Sequence, residues 1–459
     1  MNSTTPGSTT RRTDQTSSLL LYLVFSVTCG GCGLVLLYDA AAGQLVSGLS
    51  CMVVGASIFI EHGGPRITAA GLYGLATAVF AGGVSLYWWI EATSSTDGGQ
   101  MGLITFVALI TLCIQYLLFW RSYRLTQTPP ANASRIALQG TLTWGSILLV
   151  TLLALRPLIG DKGIHFSAGG MALVMCVLLL GRNTGASRLI RLTGAVLTVL
   201  AFYELAFTGF GRLILVTLAL TGAVVFTSRV RTRLTKALMV ALILPILGLL
   251  IALRETQTAM ATGEKLDGMG SIVNPFRDLE LLYVYGQSGS LSFGYGSSFI
   301  ESALFWVPRS LWPAKPPGFG TVLTEIFHPE LLSVGHSMAA LHLGEWYYNF
   351  GALGWALIIP GLGLLIRFID LRLIATIRIG TLHRVSDVLR LVIWATLSAE
   401  IPSLVWVGTF TYLSRGVQRV APLLALYLLV TFLAETRRPP RQRAIGADSG
   451  RSDTASRSS

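Results

Sequence analysis

Apolar runs separated by short polar clusters repeat along most of this chain. Crossing ~30 Å of hydrocarbon takes roughly 20 helical residues. Runs of that order lie near 18–38, 43–61, 67–90, 101–120, 136–158, 166–182, 189–208, 212–228, 237–253, 350–369, 388–408 and 417–435. They predict transmembrane helices 1–9 over 18–253 and helices 10–12 over 350–435. The ends, 1–17 and 436–459, are rich in Ser, Thr and Arg and are expected to be disordered. The pattern breaks over 254–349, a connection far longer than compact proteins ordinarily use. This stretch holds many aromatics, Gly and Pro, and its apolar segment Ser297–Val307 is too short to span. It predicts a folded loop with interfacial or re-entrant helices.

Composition supports the bilayer as solvent. Of 459 residues 52% are apolar and only 12% charged, with a mean hydropathy of +0.64, whereas soluble proteins carry about 25% charged residues. The net charge of +12 is dispersed in clusters between apolar runs, which argues against a nucleic-acid surface. All five cysteines fall inside apolar runs, and Cys29-Gly-Gly-Cys32 lies mid-run with no flanking strand. They read as packing residues rather than a redox or zinc motif. Arg11 and Arg12 precede an apolar run without a small-residue cleavage site, so the first run is expected to stay as a helix.

Lys and Arg in alternate connections set the orientation. With the N-terminus cytoplasmic, 24 of the 34 basic residues fall on the inner side. Both termini are therefore expected inside, and the 254–349 loop outside.

Ten basic residues remain on the outer side, and each needs a reason. Arg212, Arg309 and Arg415 lie near predicted membrane boundaries in Gly- or Pro-punctuated sequence: Gly209-Phe210-Gly211-Arg212, Pro308-Arg309-Ser310 and Ser414-Arg415-Gly416. Guanidinium presents a planar donor fork matched to phosphate oxygens. Three such groups converging at the outer interface would receive a polyanionic lipid headgroup such as a polyprenyl pyrophosphate; snorkelling to lipid phosphate is the bland alternative. Between Pro308 and Gly320, four prolines interleave with Arg309, Trp312, Lys315 and Phe319. That composition predicts a rigid strap, anchored at the interface by Trp312. Further on, His336, His342 and Glu345 precede the tenth run. Desolvation there would raise the Glu345 pKa toward that of a general base; pairing with an outer arginine is the alternative. His336 is the second candidate base. Arg277 is a weaker cation because Asp278 and Glu280 sit beside it. No acidic triad, HExxH or P-loop is present, so no metal ligands or cofactor are assigned.

The run Phe305–Gly354 resembles the bacterial O-antigen and exopolysaccharide polymerases, the Wzy-type oligosaccharide repeat unit polymerases. The likeness rests on Pro-Arg-Ser-Leu-Trp-Pro-x-Lys-Pro at 308–316, Phe319-Gly320, and Gly-Glu-x-Tyr-x-Asn-Phe-Gly at 344–351. Gly-Phe-Gly-Arg212 and Arg415-Gly416 also look like that family's arrangement. The resemblance implies an all-α polytopic membrane glycosyltransferase of GT-C-like architecture, with about 12 spans. It implies a metal-independent enzyme in the bacterial cytoplasmic (inner) membrane, acting at the outer face. The implied reaction transfers a growing glycan from undecaprenyl pyrophosphate to the next lipid-linked oligosaccharide repeat unit. Arg212, Arg309 and Arg415 would bind pyrophosphate with support from Lys315 and Arg277. Glu345 or His336 would serve as base, with Trp312, Tyr347 and Asn349 as supporting residues. A flippase and a chain-length regulator are the partners such an enzyme implies.

Two rivals remain. An O-antigen ligase would transfer finished polymer to another acceptor, and only the motif text favours the polymerase over it. A transporter or flippase of lipid-linked glycan should show internal repeats and ionisable residues inside the spans. No repeat is visible, and Glu204 and Glu400 are the main in-span acids.

Overall fold

The computed structural model describes residues 9–91, 98–121, 132–159, 162–181, 188–206, 212–229, 232–243, 245, 248, 251–252, 269–307, 310–334, 336–378 and 380–436. The protein is an all-α membrane protein. Among the described residues eight helices are long and apolar enough to cross a bilayer: Ala40–Glu61 (α2), Ala69–Glu91 (α3), Gln100–Trp120 (α4), Arg135–Leu158 (α5), Gly163–Leu180 (α6), Ala352–Arg378 (α14), Val385–Val407 (α15) and Thr409–Thr436 (α16). Shorter apolar helices lie at Val24–Tyr38 within α1 (Thr9–Tyr38), Leu189–Phe202 (α7), Leu213–Thr227 (α8) and Leu234–Ile243 (α9). Each of the twelve predicted runs thus overlaps a helix, although only eight helices are both long and apolar enough to span among the described residues.

Boundaries differ from the sequence expectation at three places. The first helix begins at Thr9, well before residue 18, because no Pro or Gly separates the polar Thr/Arg/Ser stretch from the apolar run. The tenth run extends to Arg378, since Arg367, Asp370 and Arg372 are all compatible with helix. The last begins at Thr409, where Gly408 ends α15 with a φ of 103°.

Burial separates central from peripheral helices. In α15, 78% of the apolar window is buried, and in α3 and α6 72%, against 28% in α16 and 22% in α5. The peripheral helices expose apolar side chains in stripes, such as Leu424, Leu428 and Phe432 on α16. A helix with an apolar outward face has lipid rather than water beside it.

Contact between α2 and α3 is close because glycines face each other. A Cβ on Gly55 would lie 2.3 Å from the Gly74 carbonyl oxygen, so only small residues permit this crossing. Helix ends are closed by charges from other helices. Asp370 on α14 accepts from Ala69 N–H at 2.6 Å and Ala70 N–H at 3.1 Å at the start of α3. Lys236 donates to the Phe59 and His62 carbonyls at 2.7 and 2.6 Å at the end of α2. Each sign matches the helix dipole it meets. The only regular strand pairing among the described residues is parallel and two residues long, with Asn132 opposite Thr381 and Ala133 opposite Leu382.

Between α9 and α14 the described residues include four shorter α-helices: Gly270–Gln287 (α10), Ser297–Ala303 (α11), Phe319–Phe327 (α12) and Leu341–Phe350 (α13). They give the long connection a folded core.

Candidate functional site

Helix α11 turns its polar side chains inward. Ser298, Glu301 and Ser302, spaced three and four apart, are buried, while Ile300 is 52% exposed and Trp306, just beyond the helix, 68% exposed. This inverted pattern suits a helix that faces lipid on one side and a polar interior on the other.

The inward face of α13 meets it. His342, Glu345 and Asn349 share one side of that helix by their three- and four-residue spacing and are all buried. The Asn349 amide donates to the Ser298 hydroxyl at 2.7 Å and to the Glu345 carbonyl at 2.7 Å, and its oxygen accepts from Gly296 N–H at 2.9 Å. Asn349 therefore fastens α11 to α13.

Glu345 is 0% exposed. Its Oε1 accepts from the Ser298 hydroxyl at 3.3 Å, and its Oε2 accepts from Thr409 N–H at the N-terminus of α16. Burial pushes the carboxyl up to about 7, opposed by the donors from Thr409, Ser298 and Phe410. A Cβ at Gly408 would sit 2.7 Å from Oε2, and the residue's φ of 103° already favours glycine.

His342 is also enclosed. Its Nδ1 faces the Val405 carbonyl at 3.1 Å, so the neutral ring carries its proton there, and Nε2 accepts from the Tyr73 hydroxyl at 2.9 Å. Burial lowers its pKa to about 4. The two non-glycine residues with positive φ among those described, Tyr295 and Leu341 (46° and 51°), lie in this same region, where such backbone is held by its surroundings.

Lys315 is 8% exposed. Its ammonium donates to the Phe305 and Val307 carbonyls at 3.1 and 3.4 Å and lies 3.5 Å from Glu301 Oε1. It thus ties the Pro-rich strap to α11. Trp312 is half-buried in that strap. Tyr347, 2% exposed, packs on Tyr283 at 5.5 Å and Trp355 at 5.1 Å, a role in the aromatic core. Arg277 is exposed with its guanidinium 5.5 Å from the centre of the Trp88 ring, and His336 is exposed ahead of α13.

Of the arginine trio, Arg415 is exposed on a π-helical turn, Tyr412–Gly416, inside α16. Arg212 begins the helix Arg212–Thr227, but its side chain falls outside the described residues, as does Arg309 entirely. The structure accordingly brings Glu345, Asn349 and the start of the Arg415 helix together, and sets Lys315 beside them through Glu301.

Sequence reading missed a further cluster. Arg419 and Glu400, 2% and 0% exposed, form an ion pair between α16 and α15. Arg419 Nη1 also donates to Thr217 Oγ1 on α8 at 3.0 Å. Both ions are visible in the sequence, one as a basic residue expected on the outer side and one as an in-span acid. Nineteen positions apart, they carry no local signal of pairing, because only the turn at Gly408 folds α16 back along α15.

No family model matches this chain, and no solved structure matches it. It is similar to the O-antigen polymerase of Salmonella typhimurium, at 35% identity over 66 residues, and equally to that of Salmonella typhi. The matched stretch is 14% of this chain and spans only 16% of the length of those relatives. These similarities agree with the likeness to polysaccharide polymerases read from the sequence.

Proposed function

We propose that this chain is a polysaccharide polymerase of the bacterial cytoplasmic membrane, built on a GT-C-like bundle of twelve spans with both termini inside. It transfers a growing glycan from undecaprenyl pyrophosphate to the next lipid-linked repeat unit at the outer face. The observation that carries this reading is Arg415, an exposed guanidinium on a π-helical turn whose helix starts on the buried Glu345 of α13. π-Helical turns occur frequently at functional sites. The short similarity to O-antigen polymerases supports the same conclusion.

In the reaction, an acceptor sugar hydroxyl attacks the anomeric carbon of the growing chain. The bond from that carbon to the pyrophosphate oxygen breaks, and the electron pair leaves with undecaprenyl pyrophosphate. Arg415, Arg212 and Arg309 supply the positive charge that stabilises this leaving group, so no metal is needed for that task. The acceptor proton needs a base open to the substrate. Glu345 is enclosed with both oxygens engaged, whereas His336 is exposed; His336 takes the proton and Glu345 holds the helix that carries Arg415. Lys315 and Asn349 act likewise as positioning residues, through Glu301 and Ser298.

Surface glycan resolved by length, from the native host with and without this gene, tests the reading. Collapse to single repeat units on deletion supports a polymerase. Full-length chains stranded on the lipid carrier would mean a ligase, and an unchanged ladder would leave neither.

A further inference from the structure

Arg415 lies between two buried carboxylates that nothing in the proposed chemistry consumes. On one side, Glu345 accepts from the first N–H of α16, and the Phe410 N–H also reaches it. On the other, Arg419, four residues beyond Arg415, is paired with Glu400 and bonded to Thr217 on α8. Gly416 packs against Glu400, with a Cβ there meeting Cγ at 3.4 Å. Between the anchors runs the π-helical turn. Tyr412, Ser414 and Gly416 are buried in it, the Tyr412 hydroxyl donates to the Leu397 carbonyl at 3.2 Å, and Arg415 is exposed.

A π turn carries one more residue per hydrogen-bonded ring than an α turn and is rare. The surroundings here are a buried carboxyl bonded to backbone N–H groups at one end and an ion pair at the other. We propose that Glu345 and the Glu400–Arg419 pair are a two-point clamp that fixes the π turn and thereby aims Arg415 at its anionic ligand. The inference rests on the reading of Arg415 as a substrate-binding arginine. It makes Glu345 a positioning residue, acting through backbone N–H groups rather than on the acceptor hydroxyl. It also gives the glycine at 408 a function: any Cβ there would displace the carboxylate. The buried pair extends the clamp to α8, so the helix that Arg212 opens is tied to the one that bears Arg415.

The test separates geometry from chemistry. With the five native cysteines replaced by alanine, R415C in membrane vesicles is modified with a charged thiol reagent, and the rate reports exposure at 415 whatever the chain catalyses. Equal rates are expected in R415C and R415C/E345Q, because glutamine keeps an acceptor oxygen for Thr409 N–H. A several-fold change is expected in R415C/E345A and in R415C/G408A, the second of which leaves the carboxylate in place. Equal rates in all four overturn the clamp. Glycan length is then read in the single variants of otherwise native protein. Polymer retained in E345Q but lost in E345A and G408A supports the clamp, since a general base would not survive the amide. Loss of polymer in E345Q equal to that in E345A overturns it in favour of a base. Normal polymer in R415A would instead sink the proposed function, and the labelling rates would still decide the geometry.

Discussion

Glu400 and Arg419 pair inside the helical bundle, 0% and 2% exposed, at a point where α15, α16 and α8 meet. Removing one member of a buried pair leaves an uncompensated charge and costs about 3–5 kcal/mol, whereas replacing both is far milder. E400Q and R419M should each lower the thermal midpoint of the detergent-solubilised chain sharply. The double variant should recover much of the loss. Strict additivity would mean that the two ions are not coupled.

The Tyr73 hydroxyl joins α3 to α13 through His342 Nε2. Tyr73→Phe removes the donor and strands a buried acceptor, at a cost of about 1–3 kcal/mol. The thermal midpoint should fall while expression is maintained. His342→Ala should remove most of the additional effect of Y73F in a double-mutant cycle.

Ionisation makes stability depend on pH from both sides. Glu345 moves from an ordinary 4.5 up to about 7, and Asp278 from 3.8 up to about 7. Within those windows the folded chain binds more protons than the unfolded one, so stability falls as pH rises toward 7. His342 moves from 6.5 down to about 4, so the unfolded chain binds more protons there and stability falls as pH drops below 6.5. Thermal scans across pH 4–8 should show E345Q flattening the decline toward neutral pH. An unaltered profile in that variant would assign the decline to other groups.

Arg415 should not tolerate lysine. A bidentate fork and a point charge are not equivalent toward pyrophosphate, and losing one preorganised donor typically costs about 10²–10³ in rate. R415K and R415A are both expected to abolish long glycan while the protein inserts normally. Near-native chain length in R415K would show that charge alone suffices.

Arg277 provides a contrast. It lies over Trp88 at 5.5 Å and is exposed, an arrangement worth about 0.5–1 kcal/mol. R277A should shift the thermal midpoint slightly and change glycan length little. Loss of polymer in R277A would move it into the proposed substrate-binding site.

The sequence by itself determined the membrane class, the positions of the apolar helices and the chemical character of the long connection between α9 and α14. Hydropathy is additive along the chain, so a linear reading recovers it. It also picked out Glu345, Asn349, Lys315 and Arg415 as unusual, because polar groups beside apolar runs need partners wherever the chain folds. Tertiary structure alone decided what those partners are. Glu345 finds the N-terminus of a helix that starts 64 residues later, Lys315 finds Glu301, and Arg419 finds Glu400 across a reversal at Gly408. A carboxylate beside a membrane boundary has the same sequence signature whether it meets a substrate hydroxyl, an arginine or a row of backbone N–H groups. The difference lies in burial and in which donors converge on it, and both are set only when distant helices pack.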